Sequence, residues 1–181
     1  MPISVTLSEL ISDEYLLEQK RLHTTGYGER GGKWGKAVFT LARQSRVKTV
    51  LDYGCGQAGL SNVLGGFGPK FTNYDPAVER FAAMPEPADL VVCTDVLEHI
   101  EEEKIDRVLW HLRQLTILYL FTVISLVETK KTLSDGRQAH ILMRPIPWWV
   151  EMITFRGFVP VNRELENPKP EKQFVQVWSP R

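Results

Sequence analysis

The stretch Asp52-Tyr53-Gly54-Cys55-Gly56-Gln57-Ala58-Gly59 constrains the fold of this 181-residue chain more than any other. It completes Val47 to Tyr53, a short run whose β-branched Val47, Thr49 and Val50 predict a strand. It also opens a brief helix, from about Ala58 to Leu64, that ends at Gly65-Gly66. Glycines between a strand and a helix make a tight turn and bring the backbone against a ligand. Such a unit starts a parallel sheet with helices on its faces, and ligands of these sheets bind at the carboxyl ends of the strands.

The rest of the chain repeats this alternation. Phe71 to Tyr74 predicts a second strand, Ala77 to Ala83 a short helix that must stop before Pro85, and Leu90 to Thr94 a third strand. Ile105, Val108, Leu109, Leu112 and Leu115 share one face of the following helix. The apolar run Leu115 to Val127 is too short for a bilayer and rich in β-branched residues, so a buried central strand is expected at Ile117 to Ser125. Pro147 in a first turn and Gly157 past the end mark a helix carrying Trp148, Trp149, Ile153 and Phe155. Phe158 to Leu165 and Gln173 to Trp178 flank a Pro-rich connection and predict a closing hairpin. Ahead of the glycine turn, Ser12 caps a helix that runs to His23, and Gly26 to Gly32 forms a loop. Trp34, Ala37, Val38, Leu41 and Ala42 then give Lys33 to Gln44 one buried helical face. The expected fold is α/β, a doubly wound, mostly parallel sheet with a C-terminal antiparallel hairpin. It is expected as a single domain over residues 1–181, with 1–46 forming a helical cap and a covering loop.

Composition narrows the partners. Lys plus Arg (22) balances Asp plus Glu (22), so no net field concentrates polyanions, and nonspecific nucleic-acid binding is disfavoured, though a local basic patch stays open. Cys55 and Cys93 are too few for a disulfide scaffold and lack the paired spacing of a zinc site; no metal centre is expected. No basic flank precedes an apolar stretch near Met1, so neither export nor a membrane anchor is expected, and a cytoplasmic protein is.

Two cofactors compete for the glycine turn. Gly54, Gly56 and Gly59 satisfy the spacing of a dinucleotide fingerprint, and Asp75, at the end of the next strand, suits a ribose hydroxyl. Asp52 argues against a pyrophosphate, because a carboxylate two residues before the first glycine repels a phosphate and attracts a cation. Together with Asn73-Tyr74-Asp75-Pro76 and Asp89-Leu90-Val91-Val92-Cys93-Thr94-Asp95-Val96-Leu97-Glu98-His99, this stretch resembles the class I S-adenosylmethionine-dependent methyltransferases, and Lys131-Thr132-Leu133-Ser134-Asp135-Gly136-Arg137-Gln138-Ala139-His140 resembles a stretch of their short stand-alone bacterial and phage-encoded members. Ala58 stands where their motif has its last Gly. The resemblance implies S-adenosylmethionine as cofactor, with Asp52, Gly54, Cys55, Gly56, Asp75, Pro76, Asp95 and Tyr27 around it and the Asp75 carboxylate on the ribose. The strand that the family places after this acid has little room between Pro76 and Ala88 and is expected to be abbreviated. A turn-forming role for Asp75, a surface loop around Tyr27, a nicotinamide-dependent reductase and a binding module without turnover all stay open.

Methyl transfer from a sulfonium already has a good leaving group, so alignment and, for a hydroxyl acceptor, a base are what the protein supplies. His99, beside Glu98, is the first candidate base and His140 the second; the alternative for Glu98-His99 is to satisfy the start of the next helix. The segment Thr129 to Arg144 follows the last parallel strand, where loops of this fold class cover the acceptor. Its Lys131 and Arg137 suit an anionic small molecule such as a nucleotide or acidic metabolite, and Trp148 suits a flat one. A solvated charged loop and a core tryptophan are the competing readings. Oligomeric state is not legible.

Overall fold

The computed structural model describes residues 5–24, 30–66, 68–163 and 167–181. Its sheet has six strands: Thr49–Tyr53 (β1), Lys70–Tyr74 (β2), Ala88–Thr94 (β3), Thr116–Ser125 (β4), Phe158–Val161 (β5) and Gln173–Pro180 (β6), in the order β2-β1-β3-β4-β6-β5. The pairs β1 with β2, β1 with β3 and β3 with β4 are parallel. β6 runs antiparallel between β4 and β5, which closes the expected hairpin. A strand buried on both faces reads as continuous apolar residues, which β3 (Leu90, Val91, Val92, Cys93) does and β4 (Leu120, Phe121, Val123, Ile124) does around one buried threonine, Thr122, whose hydroxyl accepts from Trp178 Nε1 at 2.9 Å.

Alternate strand residues feed two cores. Leu51, Val91, Cys93, Leu120 and Ile124 pack with Ile105–Leu115 and with Trp149 and Ile153 of Ile146–Phe155. Val50, Leu90, Val92, Phe121 and Val123 pack with Val38, Leu41 and Ala42 of Gly35–Gln44 and with Leu60 and Leu64 of Gly59–Leu64. The remaining helices are Leu7–Leu10 (α1) and Asp13–His23 (α2), and the four named above are α3 (Gly35–Gln44), α4 (Gly59–Leu64), α5 (Ile105–Leu115) and α6 (Ile146–Phe155). Ser12 caps α2 by accepting from Tyr15 N at 3.2 Å and ties it to Glu101 by donating at 2.6 Å. No helix among the described residues is long and apolar enough to cross a membrane.

Local chemistry shifts several boundaries. The expected helix Ala77 to Ala83 is a single 3-10 turn, Glu79–Phe81, closed by Asp75 N donating to Phe81 O at 3.0 Å. No strand lies between β2 and β3 among the described residues, so the abbreviated region leaves β2 as the sheet edge. Lys33 falls in a 3-10 segment, Arg30–Trp34, and α3 begins only at Gly35. β5 ends at Val161, short of Leu165, which lies outside the described residues. The four-residue α1 is a further element, its first turn held by Thr6 N donating to Glu9 at 2.9 Å.

Candidate active site

A cleft of about 650 Å³ opens at the carboxyl ends of β1, β2 and β3. The glycine turn forms its floor. Gly54 and Gly56 have φ of +74° and +53°, and a Cβ on Gly54 would lie 2.3 Å from Val96 Cγ2, so no side chain fits there. Ala58 keeps the left-handed conformation, at φ +62°, that the missing Gly would adopt freely, and α4 follows at once. The turn's amides are engaged within the chain: Gly54 N and Cys55 N donate to Tyr74 O at 2.7 and 3.1 Å, and Ala58 N to Cys55 O at 2.9 Å. Gly56 N donates to Asp75 at 2.9 Å. A pyrophosphate needs such amides as donors, so the turn does not suit a dinucleotide.

Three acids face the cleft. Asp52 ends β1 at 3% exposure, its Oδ2 is buried with no hydrogen-bond partner, and burial, with Asp75 nearby, pushes its carboxyl up to about 7. Asp75 accepts from Gly56 N through one oxygen and from Ala77 N at 2.9 Å through the other, and His23 Nε2 lies 3.7 Å away. The turn-forming contact and the contact to the loop therefore coexist on one carboxylate, which retains lone pairs for further donors. Asp95, at φ +55°, follows β3 and holds Lys33 Nζ at 2.5 Å, which ties the Arg30–Trp34 segment to the end of that strand. Cys55 and Cys93 are buried and their thiols are raised, mainly by burial, so both remain protonated.

The other end of the cleft carries two histidines. Glu98 and His99 lie in a 3-10 turn, Leu97–His99, and His140 comes from the long connection after β4. That connection docks rather than floats: Leu142 N donates to Glu98 O at 2.9 Å, Ser134 N to Glu18 at 2.8 Å, and Leu133 and Ala139 bury against Ile11, Tyr15 and Leu22. His99 Nδ1 bonds Ala139 O and His140 Nδ1 bonds Val127 O, both at 2.7 Å, and the rings meet edge to face with centroids 4.7 Å apart. A carbonyl only accepts, so each Nδ1 carries its proton and each Nε2 keeps a lone pair. Burial lowers His99 to about 3 and, less strongly, lowers His140, so both rings are neutral near pH 7. Glu98 is fully buried; Ser125 N donates to its Oε1 at 3.0 Å, its Oε2 has no partner, and burial followed by the Asp95 charge raises its pKa.

Of the residues singled out from sequence, Asp52, Gly54, Cys55, Gly56, Asp75, Pro76, Asp95, His99, Lys131 and His140 line this one cleft. Tyr27 lies outside the described residues. Arg137 stands outside the lining, because its exposed guanidinium donates to Asp135 at 2.6 Å across the Asp135-Gly136 turn. Trp148 also stands outside, stacked edge to face on Trp149 at 4.9 Å and beneath the Arg144 guanidinium. Sequence reasoning missed Tyr15, Gln19 and His23, which reach the cleft from α2. Their four-residue spacing, a polar stripe along one helix face, was the available signal.

Comparison with known proteins agrees with this geometry. Residues 28–164 match the family model described as a methyltransferase domain. No curated protein matches the chain. Among solved structures, the fold is similar to that of the Burkholderia thailandensis 1,6-didemethyltoxoflavin-N1-methyltransferase with 1,6-didemethyltoxoflavin and S-adenosylhomocysteine bound, with a TM-score of 0.68 and 17% identity over 99% of this chain and 93% of that one. It is also similar to the Synechocystis magnesium protoporphyrin IX methyltransferase with bound S-adenosylhomocysteine, with a TM-score of 0.66 and 16% identity over 93% of this chain and 100% of that one.

Proposed function

The chain belongs to the methyltransferase-domain family and has the class I S-adenosylmethionine-dependent fold, and from that premise we propose that it moves a methyl group from S-adenosylmethionine to a small-molecule acceptor in this cleft. The observation that carries the cofactor is the unpartnered, buried Asp52 carboxylate beside a glycine turn whose amides are already engaged. Such a site rewards a cation and gives a phosphate nothing, which fits the ammonium and sulfonium of S-adenosylmethionine rather than a nicotinamide dinucleotide. Asp75 is assigned to the ribose hydroxyls through its remaining lone pairs, with Pro76 fixing the turn and the Gly54 to Gly56 backbone along the methionine part.

When bound, S-adenosylmethionine would supply a sulfonium-activated methyl group for in-line displacement by the acceptor's lone pair, with the thioether as leaving group and any acceptor proton passing to solvent. The cleft volume, about 650 Å³, falls in the range of small-molecule sites, and the two solved relatives named above carry small-molecule methyl acceptors in their names. Lys130 and Lys131 stand at the rim beside His140 and suit an anionic group on the acceptor. Arg137, paired with Asp135 outside the lining, is not given that role.

Titration calorimetry tests the cofactor: S-adenosylhomocysteine binds and raises the melting temperature, while NAD and NADP do neither. A larger shift with NAD would remove the reading. Labelled methyl appearing on a member of a small-molecule pool separates an enzyme from a binding module without turnover.

A further inference from the structure

We propose that Glu98, His99 and His140 bind a divalent first-row transition-metal ion at the acceptor end of the cleft. The site is read from ligand geometry alone; only the ion's role toward the acceptor rests on the methyl-transfer reading. One ligand atom from each of the three residues lies within 4.8 Å of the others, although His140 is 41 residues beyond His99 in the chain. Ligands at about 2.0–2.2 Å from such an ion sit about 3 to 4 Å apart, so closing the set takes a shift on the order of 1 Å, within reach of side-chain rotation.

Each member is prepared for that role by what it already touches. Both imidazoles give Nδ1–H to a backbone carbonyl at 2.7 Å, the arrangement by which a metal-binding histidine is held in one tautomer with Nε2 as the donor. Both rings line the cleft, so coordination positions left open by the protein face the space an acceptor enters. Glu98 is held by Ser125 N on Oε1 and by Leu142 N on its carbonyl, yet its Oε2 is buried and unpartnered. A buried carboxylate oxygen without a donor is costly, and a cation supplies what the surrounding protein does not. Asp95 adds negative charge close enough to act on both Glu98 and His140, and Lys33 offsets it only in part. Two imidazoles and one carboxylate form a nitrogen-rich set that suits zinc, manganese, iron or cobalt and is unlike the all-oxygen shells of magnesium and calcium. An ion there would draw an acceptor oxygen to the cleft and polarise it.

Cobalt(II) is the probe, because its visible absorption reports ligand binding without any turnover. Chelator-treated, desalted full-length protein should take up one equivalent of Co2+ with new absorption bands. His140→Ala and Glu98→Gln should weaken that uptake by about tenfold or more, as removing a group from a metal site does. Arg137→Ala, exposed and away from the cleft, should bind Co2+ like the wild type. Circular dichroism and S-adenosylhomocysteine calorimetry establish that each variant is folded; should Glu98→Gln not fold, the half-buried His140→Ala carries the test. Absence of saturable Co2+ uptake by folded wild type overturns the proposal, as does unchanged uptake by His140→Ala, which would leave the rings as a packed pair. Protein that binds S-adenosylhomocysteine but no Co2+ removes the metal site and leaves methyl transfer standing; the reverse keeps the site and removes the methyl-transfer reading.

Discussion

Replacing Asp52 by Asn should stabilise the ligand-free protein and weaken its hold on the cofactor. The carboxyl ordinarily titrates near 3.8, and in the fold burial, helped by Asp75, pushes it to about 7. The folded state thus binds this proton more tightly than the unfolded chain. The resulting stabilisation is complete below pH 3.8 and is lost as pH rises to about 7. Above that, keeping the charged form buried costs at most about 4 kcal/mol, from 1.36 kcal/mol per pH unit of displacement. An Asn amide in the same place also lacks partners, so about half, on the order of 2 kcal/mol, should return as stability at pH 8. Urea unfolding should give a midpoint that is higher than wild type at pH 8, with the same slope, and lower than wild type near pH 4, where the wild-type carboxyl is protonated and the Asn amide still lacks partners. In calorimetry, S-adenosylhomocysteine affinity should fall by about tenfold to a hundredfold, the value of a hydrogen bond to a charged group. Equal stability gains at pH 4 and pH 8, or undiminished affinity, would refute the reasoning that this carboxylate waits for a cation.

Other substitutions separate neighbouring roles. Gly54→Ala should destabilise by roughly 2 to 5 kcal/mol, combining left-handed strain with a Cβ forced into Val96, and a thermal melt of the purified variant checks it. Asp75→Ala should cost about 1 to 3 kcal/mol of stability even without ligand, because Gly56 N and Ala77 N lose their acceptor, and should lower S-adenosylhomocysteine affinity as well; normal stability would mean that the backbone contacts are incidental. Lys131→Ala should raise the acceptor's apparent KM by an amount that shrinks at high salt, whereas Arg137→Ala should leave KM unchanged and stability within about 0.5 kcal/mol. An Arg137 effect larger than the Lys131 effect would move the acceptor's anion off the rim.

The sheet was legible because its central strands are buried on both faces and so read as mostly apolar, β-branched runs. Legibility failed where short segments with a helical pattern fold as 3-10 turns instead. Ala77 to Ala83 has helix-forming residues, yet folds as one 3-10 turn. Lys33 carries the helical pattern of α3, yet sits in a 3-10 segment that delivers its ammonium to Asp95. The residues assigned to the cofactor line one cleft because one strand, one turn and the next strand's end bring them together. Acceptor-side residues were harder to read, since Arg137 and His140 are three apart in one connection. Which of them turns inward depends on the backbone bridge between Thr132 and Gln138 and on the packing of Leu133 and Ala139 against α2.

Backbone strain marks the same edge that the chemistry does. Among the described residues other than glycine, positive φ occurs at Arg46, Ala58 and Asp95. Arg46 lies ahead of β1, at the sheet's far end, where it turns α3 into the strand. Ala58 and Asp95 lie at the carboxyl ends, each in a conformation that costs on the order of 1 to 2 kcal/mol without glycine's freedom. Glycine at 95 would relieve the turn but would abolish the carboxylate that anchors Lys33 and charges the surroundings of Glu98 and His140. Asparagine tolerates the left-handed region as well as aspartate does, so Asp95→Asn leaves the backbone cost in place and removes only the charge. The left-handed backbone at 95 therefore does not itself require the acid, and Asp95→Asn should release Lys33 without altering the turn, which separates the charge of this side chain from its conformation.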